Sequence, residues 1–248
     1  MGDLHRRPEP KSQASPALAP SNPPTPPPWN SRGLSGVPWI VDHVRFYRAM
    51  GFYQGKGETL EGDLDFRELD DEALAQQFFE AWGDLASDAN EPSHAHPDLP
   101  LLWSDTERVW QRDLECRALE GNRAYVRALG EWAHLSRGKL VLEAVEEAWE
   151  PADPDDSRAT DPTTLASDFV TVSMVVEGRR HAFRIPHLND FLNPGILAHL
   201  NALIASSGLQ YYRFRESDST IAALTEVEHG RIIGERGLNP ERINSAKL

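Results

Sequence analysis

The feature that most limits what this chain folds into is a change of hydrophobic period across "EPADPDDSRATDPTT", residues 150–164. Before it, apolar residues recur three and four positions apart, the spacing of a helix with one buried face. After it they alternate, the spacing of a half-buried strand. The stretch itself is proline-broken and aspartate-rich, and reads as an interdomain linker. An α+β chain is therefore expected: a mainly helical domain over residues 31–150, an acidic linker over 151–164, and a small antiparallel-sheet module over 165–248. Residues 1–30 hold nine of the 19 prolines and little that packs, so they are predicted to be a disordered tail.

In the first half, Val41, Val44 and Tyr47 mark a short helix ending near Gly51, and glycines at 51, 55, 57 and 62 then predict a loop. "DDEALAQQFFEAWGDLA" is a clear helix, with Asp70 and Asp71 at its positive end and Leu74, Phe78 and Trp82 on one face. Ser104 and Glu107 have capping-box spacing, which predicts a helix carrying Val109, Trp110 and Leu114 inward. A further helix carries Tyr125, Leu129 and Trp132 and stops at Arg137-Gly138, and apolar pairs predict one more from Lys139 to Trp149. In the second half the pattern reads strand, strand, helix, strand, strand, helix. "FVTVSMVV" and "HAFRI" flank a hairpin turn, Pro194 opens "GILAHLNALIASSG", and Thr225 caps the last helix.

Charge bounds the partners. The chain carries -14, and residues 58–91 alone hold twelve acids against Arg67. Such a surface repels nucleic acid and anionic lipid and attracts basic protein, although acidity also serves plain solubility. No apolar run of 18 residues is present to span a bilayer, no apolar segment follows Arg6-Arg7, and the single Cys116 forms no internal disulfide. A cytoplasmic, soluble protein is the expectation.

The candidates for chemistry are weak. "EWAHLSRGK" brings His134 and Ser136 close in sequence, but two residues apart on a helix they point about 200° from each other and cannot form a nucleophile-base pair. His94, His96 and Asp98 begin a metal-ligand pattern that nothing at ligand spacing completes, so an exposed proline-flanked loop is the better reading. Cys116 has no evident activating base. Asp63 with Asp65 and Asp105 with Glu107 are carboxylate pairs in a chain with 39 acids, where such pairs are unavoidable. Tyr211, Tyr212 and Phe214 alternate with Arg213 and Arg215, as in base-stacking strands, but the negative charge favours an ordinary strand. No catalytic residue, cofactor or metal is assigned.

Trp103-x-Asp105-Thr106-Glu107, Glu120-Gly121-Asn122, Tyr125, Trp132-Ala133, Ser136-Arg137-Gly138, Glu147-Ala148-Trp149, "LNALIASSG" and "LTEVEHGRIIGERG" together resemble the bacterial immunity proteins encoded beside polymorphic and contact-dependent toxins. The resemblance covers about residues 100–238 in short motifs. It implies a cytoplasmic protein that binds one cognate toxin domain, a basic protein, and blocks it. The partner-binding candidates are Asp70, Asp71, Glu72, Glu80, Glu143, Glu146, Glu147 and Arg137, each of which also reads as a solvated charge. The competing classes are an enzyme whose site is assembled from distant residues and an adaptor or chaperone for a secreted effector.

Overall fold

A computed structural model describes residues 38–59, 62–87, 96, 98–112, 114, 118, 120–150, 169–186, 191–217 and 219–243. The predicted tail (1–30) and linker (151–164), together with His94 and Cys116, lie outside these.

The architecture is α+β and is organised by one sheet buried on both sides. Its strands are β3 (Val109–Gln111), β8 (Thr220–Thr225), β7 (Leu209–Phe214) and β9 (Pro240–Arg242), antiparallel in the order β3-β8-β7-β9. Side chains alternate across a strand, so β3, β7 and β8 each feed two cores. Val109, Tyr212, Phe214, Ala222 and Leu224 face the first, where α1 (Pro38–Arg48), α2 (Asp71–Ser87) and α3 (Asp98–Trp103) pack with Tyr47, Phe52, Tyr53, Phe66 and Phe78. Trp110, Leu209, Tyr211, Ile221 and Ala223 face the second. There they meet α4 (Ala124–Leu135), α5 (Ile196–Leu203) and a second antiparallel sheet of β4 (Glu143–Trp149), β5 (Phe169–Val176) and β6 (Arg179–Pro186). This double burial explains why "TIAALT" is apolar almost throughout.

The layering corrects the expected domain division. β3 bonds to β8 and β4 to β5, so chain from both sides of residues 151–164 shares sheets and cores. The strands and helices from 169 to 231 are likewise not one module, because β5-β6 and β7-β8 belong to different sheets.

Three further expectations change. Residues 139–149 are not a helix: after a tight turn at Ser136–Lys139 the chain enters β4 and pairs with β5, with a register shift between Glu143 and Glu146 where Ala144 takes φ 48°. The apolar pairs suit a helix, but hydrogen bonding to β5 decides the outcome. Ser104 and Glu107 are not a capping box. α3 ends at Trp103; the Ser104 hydroxyl accepts from Trp82 Nε1 at 3.3 Å, and Glu107 accepts from the Lys56 amide at 3.1 Å. The glycine-rich segment forms a hairpin of β1 (Lys56–Thr59) and β2 (Gly62–Asp65), where a Cβ at Gly57 would overlap the Phe66 ring and the Ser104 carbonyl. Glycine there serves close packing within a strand.

The local signals for α1, α2 and α4 match the structure. So does the β5-β6 hairpin, whose turn residues Glu177 and Gly178 have φ 51° and 71°. α6 (Glu226–Arg231) opens with a full capping box between Thr225 and Glu228 and continues into a π-helical turn, Ile232–Arg236.

Candidate functional site

The predicted partner-binding acids fall into two groups. Around α2, Asp70 Oδ1 caps the helix by accepting from the Ala73 amide at 2.7 Å. Asp71 accepts from Arg48 at 2.7 Å and Arg45 at 3.3 Å, and Glu72 from Arg45 at 2.5 Å, so these acids clamp α1 to α2. Glu80 accepts from Gln76 one turn away. Apart from half-buried Asp71 these carboxylates remain exposed, as do Glu58 and Asp63 of the β1-β2 hairpin and Glu68 ahead of α2, with Arg45, Lys56 and Arg67 exposed among them.

The second group is split by the strand that replaced the expected helix. Glu146 points to the open face of the β4-β5-β6 sheet and pairs with Arg180 at 3.0 Å. Glu147 points the other way: its Oε2 accepts from the Tyr125 and Val126 amides at 3.0 and 3.3 Å. Arg123, the residue before α4, has φ 56° and makes no side-chain cap, so Glu147 supplies from β4 the anion that the helix start favours. Glu143 is exposed at the head of β4. Between β4 and the start of α4 lies a cleft of about 550 Å³, lined by Glu120, Gly121, Arg123, Val126, Val145, Glu146, Glu147, Ala148 and Trp149.

Arg137 lies elsewhere. Its guanidinium donates to the Ala223 carbonyl at 3.0 Å and Glu228 Oε2 at 2.8 Å, tying the end of α4 to β8 and α6. Glu228 also accepts from Arg108 at 2.9 Å and from the Thr225 amide at 2.7 Å. Burial alone would raise the Glu228 pKa, but the bonds from Arg137 and Thr225 and the charge of Arg108 hold it below the usual value. Arg108 also donates to the Gly51 carbonyl at 2.6 Å and lies 4.0 Å over the Phe52 ring. This trio, with Arg108 and Glu228 buried and Arg137 at its exposed end, is a structural tie between both halves of the chain.

His134 is exposed and Ser136 buried, the latter donating to the Ala133 carbonyl at 2.6 Å and accepting from the Leu140 amide at 2.8 Å; the segment is a helix end, as its spacing implies. Asp98 is fully buried and is reached by groups invisible in the local sequence: His43 Nδ1 at 2.7 Å, the Tyr47 hydroxyl at 2.7 Å and Arg236 Nε at 3.8 Å. His43 and Tyr47 stand one turn apart on α1, the only signal that could have paired them. For His96 and Asp98, the described residues of the expected exposed loop, that expectation is corrected: Asp98 is buried, and His96 is half-buried with its Nδ1 accepting from the Asp98 amide at 3.2 Å. Desolvation lowers the His96 pKa. Burial pushes against ionisation of Asp98, yet bonds from His43 and Tyr47 hold its pKa below the usual range. Among the described residues no group of three His, Cys, Asp or Glu is arranged to hold a metal ion.

The remaining sequence candidates are structural where described. Asp65 pairs with Arg67 at 2.5 Å. Asp105 is buried and accepts from the Tyr53 amide at 2.6 Å, and desolvation pushes its pKa up to about 6. Tyr211, Tyr212 and Phe214 are core residues of β7. Among the described residues no helix is long and apolar enough to cross a membrane.

Comparison with protein-family models, with curated proteins and with solved structures finds no match.

Proposed function

We propose that this protein is an inhibitor of the immunity type, which binds a basic toxin domain and blocks it by occupying its surface. The observation that carries this reading is the number of exposed acids along the β1-β2 hairpin and α2, namely Glu58, Asp63, Glu68, Asp70, Glu72 and Glu80. Carboxylates held on a packed scaffold favour a basic partner in two ways: they raise the association rate through long-range attraction, and they match its charge at contact. The cytoplasm is where such an inhibitor meets its toxin.

The experiment is to express the product of the adjacent gene in cells with and without this protein. Survival only in its presence, with co-purification of the two proteins, supports the proposal. Death in both cases, with no complex, refutes it. Rescue without a complex would point to an enzyme acting on the poison or its target. A complex that fails to protect would favour an adaptor.

A further inference from the structure

His96 bridges two of the segments that meet at Asp98. Its Nδ1 accepts from the Asp98 amide at 3.2 Å, while the ring donates to the main chain of Arg236 in the π-helical turn. An imidazole that accepts at one nitrogen and donates at the other is neutral, here in its Nε2–H form. So held, it ties the start of α3 to the turn after α6, and the Leu99 amide closes on its carbonyl at 2.9 Å. Nδ1 also lies 3.6 Å from Asp98 Oδ1, the oxygen that His43 Nδ1 already reaches at 2.7 Å. Two imidazoles thus stand over one carboxylate oxygen, and a single proton changes which of them holds it.

We propose that His96 is a proton-operated latch: neutral, it joins the start of α3 to the π-helical turn, and protonated, it leaves the Asp98 amide and competes with His43 for the Asp98 carboxylate. A proton on Nδ1 turns the acceptor into a donor, which then faces the Asp98 N–H, another donor. An acceptor for the new N–H stands 3.6 Å away at Asp98 Oδ1. The groups around the ring come from every segment packed on it. Asp98 and Glu216, the latter just past β7, favour the cation; His43 of α1 opposes it and burial opposes it most, so the proton is taken up below the usual histidine range. Glu216 is held through Oε1 by the Asn239 amide at 2.9 Å, and its Oε2 is buried with no hydrogen-bond partner among the described residues. At Asp98 the Tyr47 hydroxyl donates at 2.7 Å and Arg236 Nε stands 3.8 Å away. The Asp98 pKa lies below the carboxylate range, so that side chain is still charged when His96 takes its proton, and burial keeps Tyr47 and Tyr53 neutral. Through His43 the change reaches α1, whose Arg45 and Arg48 clamp α2. The folded chain binds this proton less tightly than the unfolded one, so the latch contributes stability above the ordinary histidine pKa that is lost as pH falls through the folded value.

The test is an NMR titration of the isotope-labelled full chain from about pH 8 to pH 4, reading imidazole nitrogens and backbone amides, beside the variant His96→Asn. Asparagine keeps a side-chain acceptor for the amide two residues on but does not titrate. Above the histidine range the His96 ring should be protonated at Nε2 alone. As pH falls below that range, one transition should move the His96 ring, the Asp98 amide and the His43 ring together, with the Asp98 amide losing at least about fivefold in exchange protection while the remaining resonances stay dispersed. In H96N the Asp98 amide and the His43 ring should not share that transition. A His96 ring protonated at Nδ1 at neutral pH, a His96 titration that leaves the Asp98 amide or His43 unmoved, the same coupled transition in H96N, or collapse of all resonances at once would each overturn the proposal. Should H96N fail to fold, the ring form and the coupled titration in the native chain decide the matter alone. No partner protein enters the experiment, so its outcome is separate from that of the inhibitor reading.

Discussion

Replacing Asp105 by asparagine should make the protein more stable at neutral pH, and the size of the gain should depend on pH. The Asp105 carboxyl is buried beneath Tyr53, whose amide donates to Oδ2 at 2.6 Å, and Oδ1 is buried with no hydrogen-bond partner. Desolvation is the largest influence on its pKa, opposed by the Tyr53 amide and the Arg108 charge, and the result is a rise from 3.8 to about 6. A folded-state pKa above the unfolded one contributes stability that is fully present below the unfolded pKa and is lost as pH rises through the folded pKa. A rise of that size corresponds to about 3 kcal/mol in total, of which roughly 2.5 kcal/mol is lost between pH 4 and pH 7.5. Asparagine keeps an acceptor for the Tyr53 amide and does not titrate. Urea unfolding of both proteins at several pH values gives the stability difference directly, and other titrating groups cancel in it. D105N should gain on the native protein by roughly 2.5 kcal/mol across that range. A difference constant to within about 0.5 kcal/mol would refute the reasoning, because Asp105 would then titrate like an exposed carboxylate.

Three further substitutions probe how the site is held. Gly57→Ala puts a methyl group into the Phe66 ring and the Ser104 carbonyl and should cost about 1–3 kcal/mol in urea unfolding. Glu147→Ala removes the anion at the start of α4 and should cost about 0.5–2 kcal/mol, with faster hydrogen exchange at the Tyr125 and Val126 amides. Glu228→Gln leaves two guanidiniums uncompensated and should cost about 3–5 kcal/mol at pH 7, whereas Arg137→Ala, which removes the more exposed partner, should cost clearly less. Because the Glu228 pKa is lowered, that tie is fully present above the ordinary glutamate pKa and is lost as pH falls through the folded value.

What could be read in the sequence was what local chemistry decides. The capping box of Thr225 and Glu228, the α2 face of Leu74 and Phe78 and the Glu177-Gly178 turn each lie within a few residues of their partners. β4 was not legible, because "LEAVEEAW" carries paired apolar residues that suit a helix. Its strand state comes from β5, which follows only after residues 151–168. The domain boundary was misplaced for the same reason: β3 is three residues long and acquires its identity from β8, more than a hundred positions later. The candidate site was half legible. The excess of acids around α2 was visible, but the opposite orientations of Glu146 and Glu147 depend on a strand's alternation, which the expected helix lacks. The cluster joins Asp98 to His43 and Tyr47 of α1 and to Arg236, three distant segments, and beyond the one-turn spacing of His43 and Tyr47 no spacing rule joins them.

The central claim is that an acidic surface captures a basic toxin domain, and the most direct measurement is the association rate of this protein with the product of the adjacent gene as salt is raised. The account predicts a 1:1 complex whose association rate falls steeply between low and physiological ionic strength while its dissociation rate changes little. No complex, or an association rate indifferent to salt, would contradict it.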